Sequence, residues 1–283
     1  MPTTYAHWRF GCDCIETLPE NLKKAVNDHR EIFDFGVHGP DIFFYDLSHP
    51  KIAKYGTNMH HEPAKPFFER CIEVYKENEE DKDAMMAYML GFLSHYTLDS
   101  QCHPYINKKD EVTPELSHNK IESEYDAHMM KLDGRSINLT DRAQSLVPKK
   151  EDAAIIARFF PFSAKDLYRV CRMHHMIIHA LNCKSDMKRN TLTGTLNALH
   201  LYDFRDLPLH NEEHPLAKDS NLRIDKDRAN ALEYYPELVE ALMKAIDEDA
   251  PLPDYFNYNF GPDIDVPVLS YEEELNYIPE KVR

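Results

Sequence analysis

Apolar positions recur along this chain at intervals of three and four, a spacing that predicts helices and not strands. The first two helices are expected over 5–16 and 20–35, separated by Pro19, with Gly36, Gly39 and Pro40 ending the second. A loop is predicted from there to about residue 63, carrying Asp41 and the pair His60-His61. Phe67, Phe68, Cys71, Ile72 and Tyr75 mark an amphipathic helix over 66–78, and the acidic run Glu77 to Asp83 reads as a solvated turn. Residues 82–103 are apolar on every side (Met85, Met86, Met89, Leu90, Phe92, Leu93, Tyr96, Leu98), and such a helix belongs in the centre of a bundle. Pro104 is expected to end it. Further helices are predicted over 115–131, 150–159, 163–182, 185–200 and 228–247, with 134–150 irregular. The pattern implies an all-α, multi-helix bundle with one domain over 1–250. A tail rich in Pro, Asp and aromatics, 251–283, is expected to pack on its surface.

Composition narrows the function. With 283 residues and 42% hydrophobic positions the chain can bury a sizeable core, and its 8 glycines are too few for a glycine-loop nucleotide binder. The net charge of −16 opposes binding of nucleic acid or an anionic membrane by the bulk surface, so a phosphate would have to be drawn by a local positive centre. Neither a signal peptide nor a membrane span is legible, which leads to the expectation of a cytoplasmic protein. The six cysteines are expected to be free thiols, Cys12 and Cys14 included, because no second cysteine pair completes a metal site.

The chemistry is concentrated in the central helix, within His95-Tyr-Thr-Leu-Asp99-Ser-Gln-Cys-His103. A spacing of four turns each residue by about 40°, so His95, Asp99 and His103 form one polar stripe on an apolar helix. An unpaired carboxylate there would cost several kcal/mol of desolvation, so something positive must lie against it. A buried His–Asp pair would meet that need. A second stripe on the next helix, His118 and Glu122, shifts the balance, since two helices each offering imidazole and carboxylate match what Zn²⁺ wants. His175 and His179 share an apolar helix face without a carboxylate at helical spacing, so they are expected to pack in the core or line a pocket. Tyr105, Tyr125, Phe43 and Phe44 are candidates for a substrate cleft.

The run Gly91-Phe-Leu-Ser-His95-Tyr-Thr-Leu-Asp99-Ser-Gln-Cys-His103-Pro-Tyr105, followed by His118-Asn-Lys-Ile-Glu122, resembles the zinc-dependent phospholipase C family, which is related to the S1/P1-type nucleases. Three earlier segments fit in order: Thr4-Tyr-Ala-His7-Trp8, Gly39-Pro40-Asp41-Ile-Phe-Phe-Tyr45 and Met59-His60-His61-Glu62. The resemblance implies an all-α bundle of that type with a metal cluster in a cleft. It implies two or three zinc ions per chain. Asp41, His60, His95 and Asp99 would hold the first, His103, His118 and Glu122 the second, and His7 with Asp99 the third, with His61 the alternative to His60. The family's third ion is also held by a mature N-terminal residue, usually tryptophan. This chain begins Met1-Pro2, so Met1 or Pro2 would have to substitute, or the third site is weak or empty.

The activity implied is a metal-dependent phosphodiesterase of phospholipase C type, in which zinc-activated water attacks phosphorus. Asp41 and Asp99 are its catalytic carboxylates, and the substrate is a small phosphodiester or a phospholipid head group, not nucleic acid. An S1/P1-type nuclease or nucleotidase, or a non-catalytic metal-binding protein that retains the site, are the alternatives. HD-type phosphohydrolases are excluded because none of the 16 histidines precedes an aspartate. Ferritin-like di-iron bundles use Glu-x-x-His pairs, whereas the pattern here is His-x-x-x-Asp/Glu.

Overall fold

The structure, a computed structural model, describes residues 4–46 and 48–283, with the backbone alone at residue 203. Among the described residues there are thirteen α-helices, four short 3-10 helices and no strand, so the fold is all-α. The first half comprises α1 (Thr4–Thr17), α2 (Glu20–Asp28), α3 (Arg30–Gly36), α4 (Pro50–His61), α5 (Lys65–Glu77), α6 (Lys82–Val112) and α7 (His118–Leu132). The second half comprises α8 (Lys150–Ile156), α9 (Ala164–Leu181), α10 (Asp186–Ala198), α11 (Tyr202–Arg205), α12 (Lys218–Asp247) and α13 (Tyr271–Glu274).

Helix α6 is the axis. Every residue from Ala84 to Ile106 is buried, and α1, α2, α3, α7 and α12 pack around it. Its small polar residues satisfy themselves locally: Ser94, Thr97 and Ser100 donate their hydroxyls to the carbonyls of Gly91, Leu93 and Tyr96. The buried ionisable stripe of His95, Asp99 and His103 has no such local backbone partner on α6.

Several boundaries differ from expectation, and prolines account for most of them. Pro40 opens a 3-10 helix over Gly39–Tyr45 and Pro50 opens α4, so the predicted loop is largely helical and His60-His61 form the last turn of α4. Proline breaks a helix interior but suits its first turn, where no N–H is needed. Pro104 lies inside α6, which runs on to Val112 and leaves the Ser100 carbonyl without its usual helical donor. The helix expected over 20–35 splits at His29, whose φ of −125° is not helical. Helix α12 begins ten residues earlier than its apolar pattern indicated. Its polar first turns bury Arg223, which is paired with Asp227 and, at 3.1 Å, with Glu274 of α13.

The segment beyond Pro251 enters the core as well as covering it. Tyr255, Phe256 and Phe260 are buried, and the Tyr96 hydroxyl donates to the Tyr255 carbonyl at 2.6 Å. The Gln101 side chain pairs with the backbone of Val282 in both directions, at 2.7 and 3.0 Å.

Helices α3 and α6 cross backbone to backbone at Gly36 and Gly91. A Cβ on Gly91 would lie 2.4 Å from the Phe33 carbonyl oxygen, a contact that no rotamer change relieves. Gly91→Ala should therefore destabilise the fold by about 1–3 kcal/mol, read as a lower denaturation midpoint with an unchanged slope; a neutral result would show that the crossing can widen.

Candidate metal centre

The N-terminal half of α6 is apolar; the imidazole and carboxylate side chains meet at its middle. His95, Asp99 and His103 project from one face of α6, His118 and Glu122 from α7, His7 from α1, Asp41 from the 3-10 helix and His60 from α4. Their ligand atoms fall into three groups, each within 4.8 Å: His7, His95 and Asp99; Asp41, His60 and His95; His103, His118 and Glu122. All eight residues singled out from the sequence lie in these groups. His95 joins two of them. Asp99 sits between them, its carboxylate 3.1 Å from His7 and His95, 3.7 Å from His103 and 3.9 Å from His60. His61 is exposed at the cleft. Met1 and Pro2, expected to substitute for an N-terminal ligand, lie outside the described residues.

Backbone carbonyls orient three of the rings. Nδ1 of His60 donates to Gly56 at 2.9 Å, Nδ1 of His95 to Val37 at 3.2 Å and Nδ1 of His103 to Phe260 at 2.8 Å. A carbonyl only accepts, so each Nδ1 carries a proton and a neutral ring keeps its lone pair at Nε2. Those nitrogens face carboxylates: His60 Nε2 lies 2.8 Å from Asp41 Oδ1, and His95 Nε2 lies 3.1 Å from Asp99 Oδ2. His60 Nε2, His95 Nε2 and Asp41 Oδ1 are nevertheless buried without a hydrogen bond. Two lone pairs at such distances repel unless a positive charge lies between them. Nitrogen and oxygen donors arranged in this way fit a divalent ion such as zinc.

Electrostatics agree. Burial pushes the Asp99 carboxyl up, but His103, His95 and His7 outweigh it and hold the group well below the usual carboxylate range. Asp41 is likewise held down by His95 and His60 against its burial. Burial disfavours a charged His103, yet Asp99 and Glu122 raise it to about 9. Gly39, with φ of +48°, permits the close approach of the Asp41 turn, since a Cβ there would lie 2.3 Å from the His95 ring.

A cleft of about 780 Å³ opens onto His60, His103 and His118, with Phe44, Phe204 and Phe260 among its walls and, among the described residues, no lysine or arginine. Of the aromatics weighed for this role, Phe44 lines the cleft, whereas Phe43 and Tyr105 lie in the core, and Tyr125 is buried on α7 away from it. On α9 the expectation for His179 fails: it is exposed and paired with Asp141, because the buried face carries His174 instead. His175 bonds the Leu146 carbonyl at 2.6 Å. The carbonyls of Gly56, Val37 and Phe260 had no signature in the sequence, since a backbone oxygen has none. All six cysteines are free thiols.

Residues 6–169, more than half of the chain, match the family model for zinc-dependent phospholipase C, and this stretch contains all eight clustered residues. The chain belongs to the zinc-dependent phospholipase C family. No curated protein and no solved structure is significantly similar to it. Membership in this family of zinc-dependent hydrolases agrees with clusters suited to metal ions. Among the described residues, no helix of this family member is long and apolar enough to cross a membrane.

A histidine held up to about 9 carries its proton at neutral pH, and metal binding must expel that proton. Zinc uptake at about pH 7.5 should therefore release at least one proton per chain, and affinity should rise with pH until His103 is neutral. Calorimetric titration in buffers of different ionisation enthalpy measures the release, and heats independent of buffer would contradict it.

Proposed function

We propose that this chain is a phosphodiesterase of phospholipase C type that uses two or three zinc ions to hydrolyse a small phosphodiester or a phospholipid at its head group. The observation that carries the reading is the set of buried, mutually facing acceptors around Asp99 at the wall of an open cleft. Asp41, His60, His95 and Asp99 would hold one ion, His103, His118 and Glu122 a second, and His7 with Asp99 a third. Bound zinc lowers the pKa of water from 15.7 to about 7 and stabilises charge developing on phosphoryl oxygens.

The chain's own residues supply the rest. Asp41, buried beside His60, accepts the proton of the attacking water at a carboxylate oxygen and orients that water for in-line attack. Asp99 keeps its negative charge and holds His7 and His95 at fixed positions. His118 and His103, with Nε2 atoms 3.2 Å from Glu122 Oε1, form the floor where the phosphoryl group rests. Phe44, Phe204 and Phe260 narrow the cleft and exclude water from the ester. The absence of lysine and arginine among the described residues of the lining, together with the net charge of −16, favours a small or lipidic ester over polymeric nucleic acid.

Zinc-loaded protein should turn over p-nitrophenylphosphorylcholine or bis-p-nitrophenyl phosphate faster than single-stranded DNA. A preference for DNA would favour the nuclease alternative, and no turnover of any of the three with metal bound would overturn the reading. Asp41→Asn should lower kcat by about 10²- to 10⁴-fold while most of the zinc stays bound. Loss of the fold in that variant would instead assign Asp41 a structural role.

A further inference from the structure

We infer that Asp126 is the positioning residue for His7: its carboxylate caps the first turn of α1 from across the domain and so fixes where the His7 imidazole meets Asp99. The inference rests on the reading above, in which His7 and Asp99 share an ion.

The argument begins with what His7 lacks. His60, His95 and His103 are each steered by a carbonyl at Nδ1, whereas Nδ1 of His7 is buried with no hydrogen-bond partner. Its ring stacks on His95 at 4.3 Å and reaches Asp99 through Nε2, but no hydrogen bond at the ring's other edge sets its angle. Beyond those two contacts, the placement of the ring depends on the α1 backbone. In its first turn that backbone is tied to α7 by one side chain. Asp126 Oδ1 accepts from Ala6 N–H at 2.8 Å and Oδ2 from Tyr5 N–H at 3.1 Å, directly before His7.

Helix caps ordinarily come from the residue preceding the helix, because its side chain is already within reach of the free N–H groups. Here the cap lies 120 residues away. It also sits one turn beyond Glu122 on α7, so the element that presents Glu122 and His118 also dictates the placement of His7. The cap is itself anchored. Buried Arg142 donates to Asp126 at 3.4 Å, and its guanidinium is fixed by the Asn182 side chain at 3.2 Å and the Leu207 carbonyl at 3.3 Å. Arg142 thus links the centre to residues beyond the family-matched segment.

Asp126→Asn keeps the shape but replaces one acceptor with an amide group that cannot accept from Tyr5 or Ala6. Zinc counted by elemental analysis should fall by one ion per chain relative to the unaltered protein, with affinity for that ion at least about ten-fold weaker. His7→Ala should lose the same ion, and combining the two changes should remove no more. Asp133→Asn removes the charge from the acceptor of the neighbouring tie, the 2.7 Å bond from the Tyr5 hydroxyl to the end of α7, and should keep the full count. The His7 imidazole NMR signal of the zinc-free protein should move in Asp126→Asn and stay in Asp133→Asn. A full zinc count in folded Asp126→Asn, an unmoved His7 signal, or an equal shift in both variants overturns the inference. If the unaltered protein binds no zinc, it is the reading of the site that fails, and the NMR comparison still decides the role of Asp126.

Discussion

A carboxylate placed in the middle of a fully buried stretch of helix is the constraint from which the rest of the architecture follows. Asp99 is buried, and on α6 only His95 and His103, one turn to either side, lie near it. The protein surrounds it with imidazoles from three helices, which draw α1 and the last turn of α4 against α6. An apolar residue at this position would leave those helices with no polar reason to converge. Burying an ionic group gives little net stability and strongly penalises the loss of a partner. The arrangement is therefore better understood as a receptacle for positive charge than as a source of cohesion.

The receptacle is prepared by groups that never touch the chemistry. Carbonyl oxygens of Val37, Gly56 and Phe260 select one tautomer for each of three rings and aim the opposite nitrogen inward. Such preparation is inexpensive for the fold, because a carbonyl oxygen has two lone pairs: Gly56 serves from inside α4, while Val37 and Phe260 lie outside helices. Gly39 and Gly91 act in the same sense by letting backbone approach where a side chain would hold it off.

Much of this was legible in the order of residues. The i, i+4 stripes on α6 and α7 stand out because helical geometry turns spacing directly into a shared face. Asp41 and His7 gained meaning only as part of an ordered set, since a lone Asp or His is ordinarily solvated or structural. Prolines misled. The predicted loop starts at Pro40 and runs past Pro50 to about residue 63, whereas each of these prolines begins a helix, a distinction that depends on which side of the proline the chain turns. The early start of α12 was hidden because its Arg223 and Asp227 are buried with Glu274 of α13 as a mutually neutralising set, and hydropathy counts each of them as surface. His174 could not be told from His175 by sequence, since one residue of helical phase decides which is buried.

The hydrogen bond from His103 to Phe260 joins positions 157 residues apart, and the one from Gln101 to Val282 joins positions 181 apart. Contacts of such sequence separation form late, because the entropy of closing a long loop must be overcome before they stabilise anything. A ribosome-bound chain that already carries all eight clustered residues would still lack the carbonyl that accepts from His103 Nδ1. The side chains of the cluster are thus complete in the first half of the chain, while the bond that orients one of them waits for synthesis of the second.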